Sequence, residues 1–205
     1  MPLIIPDTLP ASDTLQQENI FIMNHARASR QDIRPLKIVI VNLMPTKVDT
    51  ETQLARVLAN SPLQVELTLV AMASHNSKHA SREHMKTFYK SIDEIKEEYF
   101  DGTILTGAPI EQIPFEEVDY WSELCEIFEF ANTHVYSNMF ICWGAQAALH
   151  CLPVVRPVGA EPLRECGLRR VRVVGQALEL AHLRLRQPGA QPLPHPQLQL
   201  PEDPQ

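Results

Sequence analysis

Through the first 150 residues, short β-branched runs alternate with segments of helical period. "LKIVIVNLM" (36–44) is a continuous apolar run of strand length, the pattern of a strand buried on both faces of a parallel sheet. "TKVDTETQLARVLANSP" (46–62) follows, with Leu54, Val57 and Leu58 at helical spacing and Pro62 beyond its end. "LQVELTLVAM" (63–72) alternates like a strand, and "YFDGTILTGAP" (99–109) reads as another that closes in Thr-Gly-Ala-Pro. "EEVDYWSELCEIFEFANTH" (116–134) sets Val118, Trp121, Leu124, Phe128 and Ala131 on one side of an amphipathic helix. "VYSNMFICW" (135–143) is the next strand, and "GAQAALH" (144–150) begins a helix. This alternation predicts an α/β fold, a doubly wound and mostly parallel sheet with right-handed crossovers. Chemistry in such sheets gathers at the carboxyl ends of the strands. Met44-Pro45-Thr46-Lys47, Thr106-Gly107-Ala108-Pro109 and Cys142 all fall at such ends.

The pattern stops after His150. Residues 151–205 contain no Ile, Met, Phe, Tyr, Trp, Lys, Asn, Ser or Thr, yet hold nine of the 17 prolines. The first 150 residues carry 11 basic and 20 acidic side chains, a balance of -9, whereas the last 55 balance at +2 from seven arginines against five carboxylates. "QPGAQPLPHPQLQLPEDPQ" lacks the apolar surface to build a core. Only "GLRRVRVVGQALELAHLRLR" has enough aliphatic periodicity to order, as helix or strand. The missing residue types share AT-rich codons and the enriched ones GC-rich codons, so a shift of reading frame near codon 150 is the expected origin. The domains are therefore 1–150, a natural α/β sequence, and 151–205, a low-complexity tail; a natural tail of biased composition is the alternative.

Composition narrows the function. A net charge of -7 without a basic stripe gives no electrostatic reason to expect nucleic acid. No apolar run approaches the ~20 residues that cross a bilayer, and the N-terminus has neither the basic region nor the long apolar core of a signal peptide. The four cysteines (Cys125, Cys142, Cys151, Cys166) form no CxxC pair and no metal-ligand spacing with histidine, so they read as reduced thiols of a cytoplasmic protein. Cys142 is the exception in placement. It stands where an apolar strand meets a helix opening in small residues, where backbone N–H groups favour an anion and can bind an oxyanion. Gly144 and Ala145 relieve crowding there, as in strand-turn-helix nucleophile elbows. A small buried hydrophobe remains the other reading of Cys142. Cys125, inside the amphipathic helix, reads as structural.

"CWGAQA" (142–147) resembles the elbow of the homoserine O-succinyltransferase/O-acetyltransferase family, whose fold is similar to the class I glutamine amidotransferases. "ENIFIM" (18–23), "RASRQDIRPLKIVIVNLMPTKVDTETQ" (27–53), "NSPLQVEL" (60–67), "EHMKTFY" (83–89), "FDGTILTGAPIEQIPFEEVDYW" (100–121) and "THVYSNMFICWGAQAALH" (133–150) resemble that family in order and spacing. The resemblance covers residues 1–150 and none of 151–205. It implies a ping-pong acyl transfer in methionine biosynthesis, with acetyl-CoA or succinyl-CoA and L-homoserine as substrates, no separate cofactor and no metal, in a homodimer. Cys142 would carry the acyl group as a thioester, the N–H of Trp143 would form half of the oxyanion hole, and backbone near Leu43–Met44 the other half. Lys47 matches an active-site lysine; the other reading is a solvent-facing side chain in a first helical turn, where a cation is mildly unfavourable to the helix dipole, and that conflict favours the site role. Glu111 stands where the acyl donor is selected; glutamate there resembles the acetyl-CoA users, and a carboxylate would repel the succinyl carboxylate. The family's catalytic histidine and glutamate lie farther downstream than this chain extends. Leu163 stands where a substrate lysine is expected, and neither His182 nor His195 has the context of the family's base, so little or no turnover is expected of this chain. Two other functions compete: a non-catalytic CoA-binding remnant, and a glutamine amidotransferase-like hydrolase, whose usual leading glycine is Phe140 here.

Overall fold

The computed structural model describes residues 2–74, 80–151 and 171–174. Strands β1 (Leu3–Ile4) and β2 (Ile22–Met23) flank helix α1 (Pro10–Gln17), and the short helix α2 (His25–Ala28) follows. Then come β3 (Leu36–Val41), α3 (Lys47–Ala59), β4 (Val65–Val70), α4 (Arg82–Phe88), β5 (Tyr89–Lys90), α5 (Ile92–Ile95) and β6 (Phe100–Leu105). A 3-10 turn (Phe115–Glu117) leads to α6 (Trp121–His134), β7 (Val135–Ile141), α7 (Trp143–Cys151) and β8 (Val171–Val174). Every pairing among these strands is parallel. The order is β2-β1-β4-β3-β6-β7-β8, with β5 on β4. β3 pairs with β4 along its whole length, so β1 (at Val65 and Glu66) and β5 (at Leu69 and Val70) divide the other edge of β4 between them.

The open parallel sheet with helices is the doubly wound α/β fold expected from the alternating pattern. Its chain direction reverses at β3: the crossover through α3 leads one way to β4, while β6 and β7 lie on the other side. Such a switch point opens a crevice at the carboxyl ends of the flanking strands.

Alternation along β3 divides the core. Val39 and Val41 join one apolar cluster with Leu105, Leu124, Phe128, Ala131, Phe140 and Trp143, supplied by α6, α7 and their strands. Ile40 points the other way, into a cluster with Leu3, Leu15, Ala55, Leu67 and Leu69 beneath α1 and α3.

The structure departs from the periodicity at several points. Leu54 and Leu58 pack against the second cluster, but Val57 is 72% exposed, because it lies off the stripe that α3 turns inward. Val118 is buried ahead of α6 rather than within it; its extended backbone (φ -72°, ψ 125°) interrupts the helical path after the 3-10 turn. The N-terminal strands, two residues each, are too short to show a period. In the compositionally odd tail, Val171–Val174 forms a strand on the free edge of β7, which resolves the ambiguous aliphatic segment in favour of β there. Leu163, His182 and His195 lie outside the described residues. Among the described residues no helix is long and apolar enough to cross a membrane.

Truncating Phe128→Ala, at a fully buried position, is expected to cost ~3–5 kcal/mol through lost burial and the cavity left behind. Val57→Ala should stay within ~0.5 kcal/mol. Urea denaturation of both variants, compared at constant slope, checks the pair.

Candidate active site

The sheet register aligns the ends of three strands. Val41 pairs with Leu105, and Leu105 with Phe140, so the chain leaves β3, β6 and β7 side by side. Thr106 ties the first two exits together: its N–H donates to the Val41 carbonyl at 3.0 Å, and its Oγ1 accepts from the Leu43 N–H at 2.8 Å.

Cys142 follows β7 directly and has a positive φ of 53°, a left-handed conformation costly for a residue with a Cβ. Its thiol is exposed, and its carbonyl accepts the N–H groups of Ala145 (3.0 Å) and Gln146 (3.2 Å), the first bonds of α7. The N–H groups of Trp143 and Gly144 precede those donors and so have no carbonyl within the helix to bond. The turn is built on two glycines. A Cβ at Gly144 would stand 2.4 Å from the Thr106 carbonyl oxygen and 2.3 Å from Leu105 Cδ2, and one at Gly107 would stand 3.1 Å from Cys142 Cβ. Both contacts require the end of β6 to lie directly against the elbow. Trp143, 1% exposed, anchors the helix start in the core, its ring 5.8 Å from that of Phe115.

The elbow places Cys142 in the exposed position a nucleophile needs, and the buried alternative does not describe it. The Leu43–Met44 backbone is another matter: the Leu43 N–H is taken by Thr106 Oγ1 and the Met44 N–H by Asn42 Oδ1 at 3.1 Å. Those donors are committed to holding the β3 exit, because a buried amide without a partner is costly. Glu111 occupies an exposed turn beyond Thr106-Gly107-Ala108-Pro109 on the same carboxyl edge.

Lys47, the first residue of α3, is not solvent-facing. It is 8% exposed, and its Nζ donates to the Asn42 carbonyl oxygen. Sequence reasoning missed the group around it. Glu51, one turn along α3 and 2% exposed, accepts from the Tyr89 hydroxyl and bonds His84 Nε2 through both oxygens at 2.9 and 3.1 Å. The Asn42 amide closes the ring by donating to Tyr89 Oη (3.0 Å) and to the Lys47 carbonyl (3.3 Å). Lys47 and His84 line a cleft of about 550 Å³ with Pro10, Pro45, Thr46 and Ser81. Burial pushes the Lys47 ammonium down to about 8, with Glu51 acting in the opposite direction. Burial, and then the Glu51 charge, hold the Tyr89 hydroxyl far above its usual range. Among the described residues no three His, Cys, Asp or Glu side chains converge as metal ligands would.

A parallel sheet with an exposed cysteine on a strand-to-helix elbow after β7 and backbone donors beside it, and with a buried lysine at the end of β3, two strands away, defines the class of α/β proteins with a cysteine elbow. Comparison with known proteins narrows the class. The family model described as homoserine O-succinyltransferase matches residues 2–161. A homoserine O-acetyltransferase of Catenibacterium mitsuokai is 62% identical over 150 residues, which is 73% of this chain and 48% of that protein. The homoserine O-acetyltransferases of Streptococcus thermophilus and Clostridium novyi are each 59% identical over 150 residues, 48% and 50% of their lengths. The chain belongs to the homoserine O-succinyltransferase family, and it spans about half the length of these curated relatives.

Lys47 gives the site a pH signature. Between about 8 and the ~10.4 of an ordinary lysine, the unfolded chain holds a proton that the folded chain has released. Stability therefore rises with pH across that window. Tyr89 opposes this above ~10, where an unfolded tyrosine ionises first. Lys47→Met should accordingly flatten the rise in unfolding free energy, measured by urea denaturation, between about pH 8 and pH 10 relative to the parent, by up to ~1.4 kcal/mol per pH unit.

Proposed function

We propose that this chain carries the nucleophile half of a homoserine O-acetyltransferase, an enzyme of methionine biosynthesis, with Cys142 as the acyl-accepting residue. The elbow supports the reading most directly: a strained, exposed cysteine follows β7, packed closely against Gly107 and with Gly144 against the end of β6. In the first half-reaction the Cys142 thiolate adds to the thioester carbonyl of acetyl-CoA. The Trp143 N–H stabilises the tetrahedral oxyanion, and collapse expels the CoA thiolate, leaving acetyl-S-Cys142. In the second, the hydroxyl of L-homoserine adds to that thioester, its proton passes to a base, and the cysteine leaves to give O-acetylhomoserine. Lys47 supplies positive charge at the end of β3, across β6 from the elbow. Glu111 disfavours succinyl-CoA by like-charge repulsion across the acyl pocket. We also propose that the homologous part ends near residue 150 and that 151–205 derives from a shifted reading frame. That segment offers no match for the downstream base, so acylation without turnover is the behaviour expected of this chain.

Intact-mass and peptide analysis after incubation with acetyl-CoA or succinyl-CoA tests the reading. An acetyl adduct should form on the Cys142 peptide and be lost in Cys142→Ser, and Glu111→Gly should raise succinylation relative to acetylation by roughly tenfold. Stabilisation by acetyl-CoA without any adduct would favour a CoA-binding remnant, glutamine hydrolysis an amidotransferase-like enzyme; either result overturns the proposal. Reading the gene in its other two frames decides the origin of the tail, since a frame that continues the family pattern must exist.

A further inference from the structure

Glu51 is a buried carboxylate with no part in the acyl-transfer scheme, one helical turn from Lys47 on the same face of α3. Burying it is costly unless its charge is satisfied. Two groups from neighbouring elements bond it, the Tyr89 hydroxyl of β5 and His84 Nε2 of α4, while the Lys47 ammonium, itself bonded to the Asn42 carbonyl, adds its charge from one turn away. Tyr89 also receives the Asn42 amide, and Asn42 accepts Lys47 Nζ through its carbonyl oxygen. The four residues form a closed ring at the end of β3, and the His84 side chain, 9% exposed, shields it where the cleft begins.

We propose that Glu51 is the positioning residue for Lys47: its carboxylate, fixed by Tyr89 and His84, keeps the Lys47 ammonium charged and directed at the β3 exit beside the cleft. The inference rests on the reading of Lys47 as a working cation of the site, but concerns its charge and direction rather than acyl transfer. Without Glu51, burial alone would act on the ammonium, and burial favours the neutral amine. The titratable groups around Lys47 are Glu51 and Asp49 on α3, Tyr89 on β5 and His84 on α4. Glu51 is the one carboxylate among them that is buried with Lys47.

The test follows the protonation of Lys47 directly. The full chain is labelled with trace acetic anhydride across the neutral-to-alkaline range, and the pH of half-maximal reactivity is read for the Lys47 peptide, with exposed Lys96 as internal control. The parent should show Lys47 at about 8. Glu51→Gln should lower the midpoint by about one pH unit or more, equivalent to about tenfold more free amine at a given pH, with Lys96 unmoved. A merely structural role for Glu51 would reduce stability without moving the midpoint. An unchanged or raised midpoint in folded Glu51→Gln overturns the proposal, as does a parent Lys47 that titrates with Lys96. Should Glu51→Gln fail to fold, Glu51→Asp decides instead: it withdraws the carboxylate by one methylene, and a midpoint that does not fall counts against the role. A lowered midpoint in a protein that never acylates Cys142 would leave this inference standing while removing the acyltransferase reading, so the two fail separately.

Discussion

The absence of one methyl group governs how this sheet meets its candidate site. Gly144 lies so close to the end of β6 that any side chain would strike the Thr106 carbonyl and Leu105. The Thr106 carbonyl cannot easily yield, because the same residue bonds back to Val41 and accepts the Leu43 N–H. The approach of α7 to β6 therefore fixes three things together: the direction of the elbow helix, the exit of β3, and the position of Cys142 above Gly107. Interiors packed at this density do not deform gradually. The register that pairs Val41, Leu105 and Phe140 is thus also the register of the site.

The buried polar ring shows the opposite economy. Ion pairs removed from water are seldom a net source of stability, since desolvation offsets their attraction. Lys47 and Glu51 occupy positions on α3 where two aliphatic residues would extend the cluster formed by Ala55, Leu54 and Leu58. What the fold obtains instead is a fixed lysine beside the cleft, with its neighbours satisfied by Asn42, Tyr89 and His84. Such a ring gives the β3 exit one arrangement, which a set of interchangeable aliphatic contacts would not.

Much of this was legible in the sequence where the physics is local. β3, β4, β6 and β7 announce themselves by β-branched runs, and the elbow by an apolar strand ending in cysteine before small residues. Elements that depend on tertiary pairing were not legible: β1 and β2 are two residues each, and they exist because the edge of β4 and the cover of α1 accept them. The ring around Lys47 left a trace that periodicity could have caught. Residues 47, 51, 54, 55 and 58 lie on one helical stripe, with Lys47 and Glu51 in register with Leu54, Ala55 and Leu58, while Val57 falls off it. Two charged residues on the apolar stripe signal buried charges with partners elsewhere in the fold; counting Val57 in that stripe obscures them. Tyr89 and His84 could not be assigned this way, because their contacts join α4 and β5 to α3 across more than 30 residues.

The left-handed backbone at Cys142 links these observations. A non-glycine residue in that region stores ~1–3 kcal/mol and persists only where its surroundings over-determine it. Gly107 below and Gly144 behind supply the space, but space alone would let the turn relax. The restraint comes from the far side of α7: Trp143 is buried against Phe115, whose ring also lies 5.4 Å from Trp121 and 4.7 Å from His150. His150 in turn bonds Glu116 at 2.7 Å, so both ends of the elbow helix are fastened to the same 3-10 turn. Phe115 and Trp121 therefore act on the cysteine through α7 rather than by touching it. They fix the helix at its first and last turns, leaving the strained residue between strand and helix no easier conformation to adopt.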